Sequence, residues 1–165
     1  MADAEIKLTK NQYIPFIDTS GTIRSGTWTP TWKRIDKSTI FDLNPNAQTK
    51  ELDYISQELP SEEIENYKPE LPQEIALYAG NPIYDFVFGM FYDLPVGDAA
   101  IVPVLLCFPG TTTKKAWQIQ RCVLVPGNLN TVDGKLSFSL KFGGDIERGT
   151  YTITEGAPTF SKASV

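Results

Sequence analysis

The stretch 79-AGNPIYDFVFGMFYDLP-95 decides how the chain is read, because it is the one segment with an unmistakable helical period. Asn81 is a favourable N-cap, and Pro82 suits the first helical position, where its missing N–H costs nothing. Ile83, Phe86, Val87, Met90 and Phe91 then recur at i, i+3, i+4, i+7 and i+8, which is a continuous apolar stripe. Pro95 ends the pattern. Tyr84, Asp85, Phe88 and Tyr92 fall away from the centre of the stripe, so the flanks of the helix are aromatic as well. A helix with that much apolar surface needs more cover than one sheet provides, and a second subunit can supply it.

Outward from the helix the period changes to two. In KLSFSLKF, Leu136, Phe138, Leu140 and Phe142 share one face, while Ser137, Ser139 and Lys141 share the other. GTYTITEG places Tyr151 and Ile153 inward and its threonines outward. AWQIQRCVLV sets Trp117 and Ile119 against Gln118 and Gln120. AAIVPVLLCF reads as a more fully buried strand, with Pro103 at an edge or a bulge. KELDYIS is expected to turn Leu52 and Tyr54 inward and Glu51 and Asp53 outward. QEIALYAG leads into the helix, and TWTPTWKRI is a short early strand. Pro126-Gly127-Asn128 and Val132-Asp133-Gly134 mark turns. The expected fold class is mainly β with one α-helix packed on a two-layer β structure.

Between Ser56 and Pro72 lies SQELPSEEIENYKPELP, with three prolines and a run of glutamates. It lacks a strand period and is too broken for a long helix. It reads as an exposed arm joining two strands, at about residues 56–72 of a single domain that spans 1–165. Loops this long without regular structure are either functional or disordered. The tail GAPTFSKASV and the first dozen residues read as further extensions.

The 165 residues fit one domain, and a hydrophobic content of 41% separates the chain from disordered sequences. The net charge of −5 argues against a duplex DNA binder, which needs clustered positive charge. It is compatible with a surface past which nucleic acid slides without sticking. There is no histidine, so no Ser-His-Asp triad, Cys-His pair or His-bearing zinc site is available. Cys107 and Cys122 lie in apolar runs and read as buried, reduced thiols. MADAEIKLTK has no apolar core of signal-peptide length, and AAIVPVLLCFP is too short to span a bilayer. A soluble protein is expected.

Paired carboxylates, Glu51 with Asp53 and Glu62 with Glu63, raise the thought of a glycosidase. Glu62 and Glu63 sit in the arm, a poor place to hold catalytic geometry. Glu51 and Asp53 alternate on an exposed strand face. GTTTKK lacks the phosphate-loop pattern, and FGG is an isolated turn. Trp28, Trp32 and Trp117 read as core or interface residues ahead of a sugar platform. No enzyme activity, metal or cofactor is expected.

Four segments in this order resemble the major tail protein, or tail tube protein, family of long-tailed bacteriophages: TPTWKRIDKSTIFDLNPNAQTKELDYISQE, the acidic arm, ALYAGNPIYDFVFGMFYDLP, and GKLSFSLKFGGDIERGTYTITEGAPTF. Together they cover roughly residues 28–160. The resemblance is one of element order and local flavour and holds no chemical signature. It implies a β-sandwich or partly rolled barrel flanked by a helix, with a long loop and extended termini. It also implies subunits joined into a ring, usually hexameric, and rings stacked into a tube that conducts the genome into the host. The implied partners are further copies of the chain, the tail tip or initiator, the tape measure and terminator proteins, and DNA that passes without specific binding. The implied location is the virion tail, assembled in the host bacterial cytoplasm.

On this resemblance Phe88 and Tyr92 are either subunit contacts or core. Met90 and Phe91 are expected in the core. Glu51 and Asp53 either line the lumen, where carboxylates repel phosphate, or face outside solvent. Glu58, Glu62, Glu63, Glu65 and Tyr67 are candidates for ring stacking. Other readings stay open: a different ring-forming structural protein (tail terminator, capsid decoration or type VI secretion tube protein), or a carbohydrate-binding β-sandwich.

Overall fold

The computed structural model describes residues 5–163. The first four and last two residues of the expected terminal extensions lie outside the described residues. The strands are β1 (Ile14–Asp18), β2 (Trp32–Arg34), β3 (Ala47–Leu52), β4 (Ser61–Tyr67), β5 (Glu70–Ala76), β6 (Val104–Cys107), β7 (Lys115–Asn130), β8 (Lys135–Thr154) and β9 (Ala157–Lys162). One helix, α1 (Pro82–Asp93), stands between β5 and β6. It is too short to cross a membrane.

Seven strands form one antiparallel sheet in the order β2-β1-β6-β7-β8-β5, with β9 also on β8. The 20-residue β8 makes this branching geometry possible. Its first half pairs Lys135–Lys141 with β5, and its second half pairs Gly149–Thr154 with β9. Between the halves the ladder is irregular: β7 has a bulge between Ile119 and Arg121, and β8 carries Gly143 opposite Arg121 and Gly144 at φ +67°. A bulge and a left-handed glycine bend a strand sharply. The second half therefore rolls over, β9 comes back alongside β2, and the sheet nearly closes into a barrel. The architecture is mainly β, with one helix and a barrel-like sheet.

The roll creates two apolar compartments. One face of the whole sheet, including Ile17, Leu106, Ile119, Leu124 and the row Leu136-Phe138-Leu140-Phe142, is covered by α1 through Ile83 and Val87. The opposite face, inside the rolled part, holds Phe16, Leu105, Cys107, Ala116 and Tyr151, closed by Trp32 and Phe160. Every residue of β6 is buried because the strand lies between these compartments, which explains its unbroken apolar sequence. Burial of a side chain the size of Ile83 contributes about 1.5–3 kcal/mol.

The helix begins as its sequence predicts. Asn81 Oδ1 accepts hydrogen bonds from the backbone N–H groups of Ile83 (3.0 Å) and Tyr84 (3.2 Å). Leu94, at φ +50°, caps the other end just before Pro95. Met90 and Phe91, expected in the core, are only half-buried at its rim.

Several expectations are corrected. Residues 56–72 are not an irregular arm: Ser61–Tyr67 is β4, paired with β3 in a separate two-stranded hairpin, and Glu70–Pro72 already belong to β5. The tail is not an extension through residue 162, because β9 is an integral strand. Pro126-Gly127-Asn128 is not a chain reversal but a bulge within β7. Tyr54 lies beyond β3 and is exposed, and Ile153, at the mouth of the roll, is partly exposed. Pro103 sits at the entrance to a central strand, where its absent N–H removes no ladder bond. Its carbonyl accepts from the Asp18 N–H at 3.0 Å.

Candidate assembly surfaces

Three exposed surfaces stand out among the described residues once the two compartments are filled. The first is the outer face of α1. Tyr84, Phe88 and Tyr92, spaced four residues apart, form a ladder of rings with centroids 5.9 and 6.4 Å apart. Phe88 is 37% and Tyr92 77% exposed, and Leu94 and Val96 continue the apolar surface beyond the helix. The ladder follows from the i, i+4 geometry of a helix.

The second surface is the face of β5, β8 and β7 opposite α1, in the half of the sheet that does not roll. It shows Glu70, Lys141 and Val123 in one row, and Pro72, Ser139 and Val125 in the next. Glu74 pairs with Lys135 at 3.0 Å. At the bend, Arg121 reaches Asp98 at 3.8 Å, with both groups exposed, so the pair adds little stability.

The third is the β3–β4 hairpin. None of its residues is buried. Between positions 44 and 68 there are six carboxylates against two lysines, so this segment carries four of the five net negative charges of the chain. The register pairs Ala47 with Tyr67, Thr49 with Ile64 and Glu51 with Glu62. Tyr67, Ile64 and Glu62 therefore share a face with Glu51, and two like charges stand directly opposite each other, which disfavours the pairing. An isolated two-stranded hairpin is marginal in water even without such a clash.

All the proposed carboxylates thus fall on one element. Glu51 lies on β3, Asp53 just beyond its end, Glu58 in the tip, and Glu62, Glu63 and Glu65 on β4 with Tyr67. The sequence reading divided them between a channel wall and an arm, but Glu51 and Glu62 are direct partners. The strand was illegible because a bulge separates Gln48 from Thr49 in the ladder and leaves Glu65 unpaired, so Ile64 and Tyr67 share a face at a spacing of three. Missed altogether were the apolar tip residues Ile55 and Leu59, both highly exposed. Their only sequence signal was apolar side chains flanking a turn.

The tryptophans form no single platform. Trp28 meets Trp32 edge to face at 6.0 Å, and its Nε1–H donates to Asp18 Oδ2 at 2.7 Å. The buried Asp18 carboxylate also accepts from the N–H groups of Ser20 (2.9 Å) and Thr31 (2.8 Å), which pins the loop between β1 and β2. Trp117 lies on the other side of the sheet, against Phe108 at 5.3 Å and under Arg148. The two cysteines are buried free thiols. Burial pushes Cys107 up to about 12 and Cys122 well above the ordinary thiol range. Burial, followed by the charge of nearby Cys107, raises Tyr151. None of these groups is poised as a nucleophile.

No protein-family model and no curated protein sequence matches the chain. Among solved structures, it is similar to the sheath/tube terminator of an extracellular contractile injection system, PVC, in its extended state. That match has a TM-score of 0.57 and 8% identity, and it covers 90% of this chain and all of the other. A chain of the anti-feeding prophage (AFP) baseplate aligns over 90% of this chain and 97% of its own at a TM-score of 0.45 and 9% identity. The rolled sheet with its single covering helix is therefore a fold that this chain shares with that sheath/tube terminator.

Proposed function

We propose that this chain is a ring-forming structural component of a phage-tail-like assembly, and that it acts there as a terminator, closing the end of a tube rather than building its repeating length. One observation carries the reading: the fold match to a sheath/tube terminator runs over nine-tenths of this chain and the whole of the other. The surfaces agree with it. An exposed aromatic ladder on α1 and a hairpin with no core of its own are features that a monomer has no use for and a packed ring would cover. The acting partners are then further copies of the chain and the neighbouring tail proteins, and the location is the tail of the particle. Phe88 and Tyr92 serve as lateral contacts, and the hairpin, with Glu58, Glu62, Glu63, Glu65 and Tyr67, serves as the arm between subunits. Glu51 and Asp53 share that arm, so any contact they make with the channel depends on where the hairpin comes to rest.

Negative-stain microscopy of the purified protein, alone and with tail tubes, tests the reading. Discrete rings that do not lengthen on their own, and that bind tube ends, are expected. Open-ended tubes growing from the pure protein would favour a tube subunit instead. A particle that stays monomeric at high concentration and ignores tube ends would overturn both.

A further inference from the structure

A cleft of about 400 Å³ opens between the segment entering β1, the chain around residues 34–41, and β5. One wall is aromatic, with Tyr13 and Phe41 at a centroid distance of 5.7 Å. Lys10 and Arg34 line it as exposed cations, and neither takes part in the ion pairs of the described residues. Gln73, only 2% exposed, contributes from β5. Its Nε2 donates to the Pro72 carbonyl at 2.8 Å, but its buried Oε1 has no partner. A buried acceptor left unsatisfied costs about 1–3 kcal/mol, and this one lies beneath the floor of the cleft, closed to solvent. The cleft therefore combines an aromatic wall with two cations, Lys10 and Arg34, against one carboxylate, Asp36.

The hairpin tip has the converse chemistry. A turn closed by the Gln57 N–H to the Tyr54 carbonyl (3.0 Å) holds Ile55 at its apex. Turn apices favour Gly, Pro, Asn, Asp and Ser, yet here a branched apolar side chain stands fully exposed, flanked by exposed Tyr54 and Leu59. Asp53 and Glu58 add negative charge on either side. Every residue from Asp53 to Leu59 is exposed in the single chain. The six-residue β3 alone carries the tip roughly 20 Å from its base, far enough to reach another subunit.

We infer that the hairpin tip of one copy, Asp53–Leu59, seats in the Lys10/Arg34 cleft of the next copy. Ile55 and Tyr54 then meet the Tyr13–Phe41 wall, and Asp53 and Glu58 meet Lys10 and Arg34. Tip and cleft are different surfaces, so the contact is heterologous and propagates around a ring or along a stack instead of pairing two copies face to face. The inference rests on the assembly reading above and specifies its subunit contact.

Cross-linking of the full chain tests it, because both native cysteines are buried and engineered surface thiols would react alone. Ser56→Cys and Thr39→Cys subunits, each exposed at its new thiol position, are mixed and treated with a short bis-maleimide. A cross-linked pair is expected in the mixture and in neither variant alone. Adding Lys10→Glu with Arg34→Glu to the Thr39→Cys subunit should cut the yield about tenfold, and Asp53→Arg with Glu58→Arg on the other subunit should restore it. Rings in micrographs with no mixed cross-link would overturn the seat while leaving the ring reading intact. Cross-linked pairs without rings would support the seat and overturn the ring reading. Self-linking by Ser56→Cys alone, or linking within a single chain that carries both thiols at high dilution, would overturn the inference.

Discussion

Substituting Gly149 by alanine probes the feature on which barrel closure depends. A Cβ at this position would lie 2.0 Å from the Ser161 carbonyl oxygen and 2.9 Å from the Lys162 Cα. Ordinary contact begins near 3.4 Å, so β9 would have to retreat by about 1.4 Å at that end. Both obstructing atoms belong to the backbone, so no side chain can swing away. The retreat breaks the Gly149–Lys162 pairing and the bond from the Ala163 N–H to the Arg148 carbonyl, 2.9 Å long. It also loosens Phe160, which covers Tyr151 and Phe16. Losing two or three hydrogen bonds at about 1 kcal/mol each, with some packing, amounts to about 3 kcal/mol. For a domain of this size that lowers Tm by about 6–12 °C. Urea unfolding gives the stability change, and hydrogen exchange over Ala157–Lys162 locates it. A Gly149→Ala protein within about 0.5 kcal/mol of wild type, with β9 exchange unchanged, would refute the claim that close approach of β9 closes the roll. Gly89→Ala is the control: nothing lies within 4 Å of its Cβ and it sits inside α1, so it should stabilise by about 0.5–1 kcal/mol.

Other outcomes follow from the same geometry. Asn81→Ala removes the acceptor for two helix N–H groups and the 3.0 Å bond to Asp36; urea unfolding should show a loss of about 1 kcal/mol. Replacing residues 48–66 with a two-residue turn should leave thermal stability within about 1 kcal/mol, because the hairpin buries nothing, yet abolish ring formation in micrographs. A trim reaching Glu70 or Leu71 would instead cut into β5, and Leu71 is fully buried. Cys107 is raised from 9.0 to about 12, so the folded state keeps a proton that the unfolded chain releases. The associated stability is complete below pH 9 and falls as pH climbs toward 12. Cys107→Ala should flatten that decline in urea titrations, and a thiol reagent at pH 8 should leave the native protein unmodified.

Much of the fold was legible locally. The cap at Asn81, the stripe through Ile83 and Val87, and the alternation Leu136 to Phe142 each depend on neighbours within a few residues, so their periods survive in the linear chain. The unbroken apolar run of β6 announced a strand covered on both faces. What stayed hidden were properties of pairing. One bulge in the β3–β4 ladder erased the period of β4 and made a hairpin look like an irregular arm. A bulge in β7 at Pro126 looked like a chain reversal, since proline, glycine and asparagine suit either conformation. The bend at Gly143–Gly144 sends one half of β8 to β5 and the other to β9, and no local pattern states that a single strand serves two neighbours. Composition alone determined the histidine-free, acidic character of the chain, which leaves no histidine for a Ser-His-Asp triad. Only the tertiary structure decided that Glu51 stands opposite Glu62, that Gln73 leaves a buried acceptor beside Lys10 and Arg34, and that Ile55 crowns an uncovered tip. Those are contacts between residues distant in sequence, set by register and by the bending of the sheet.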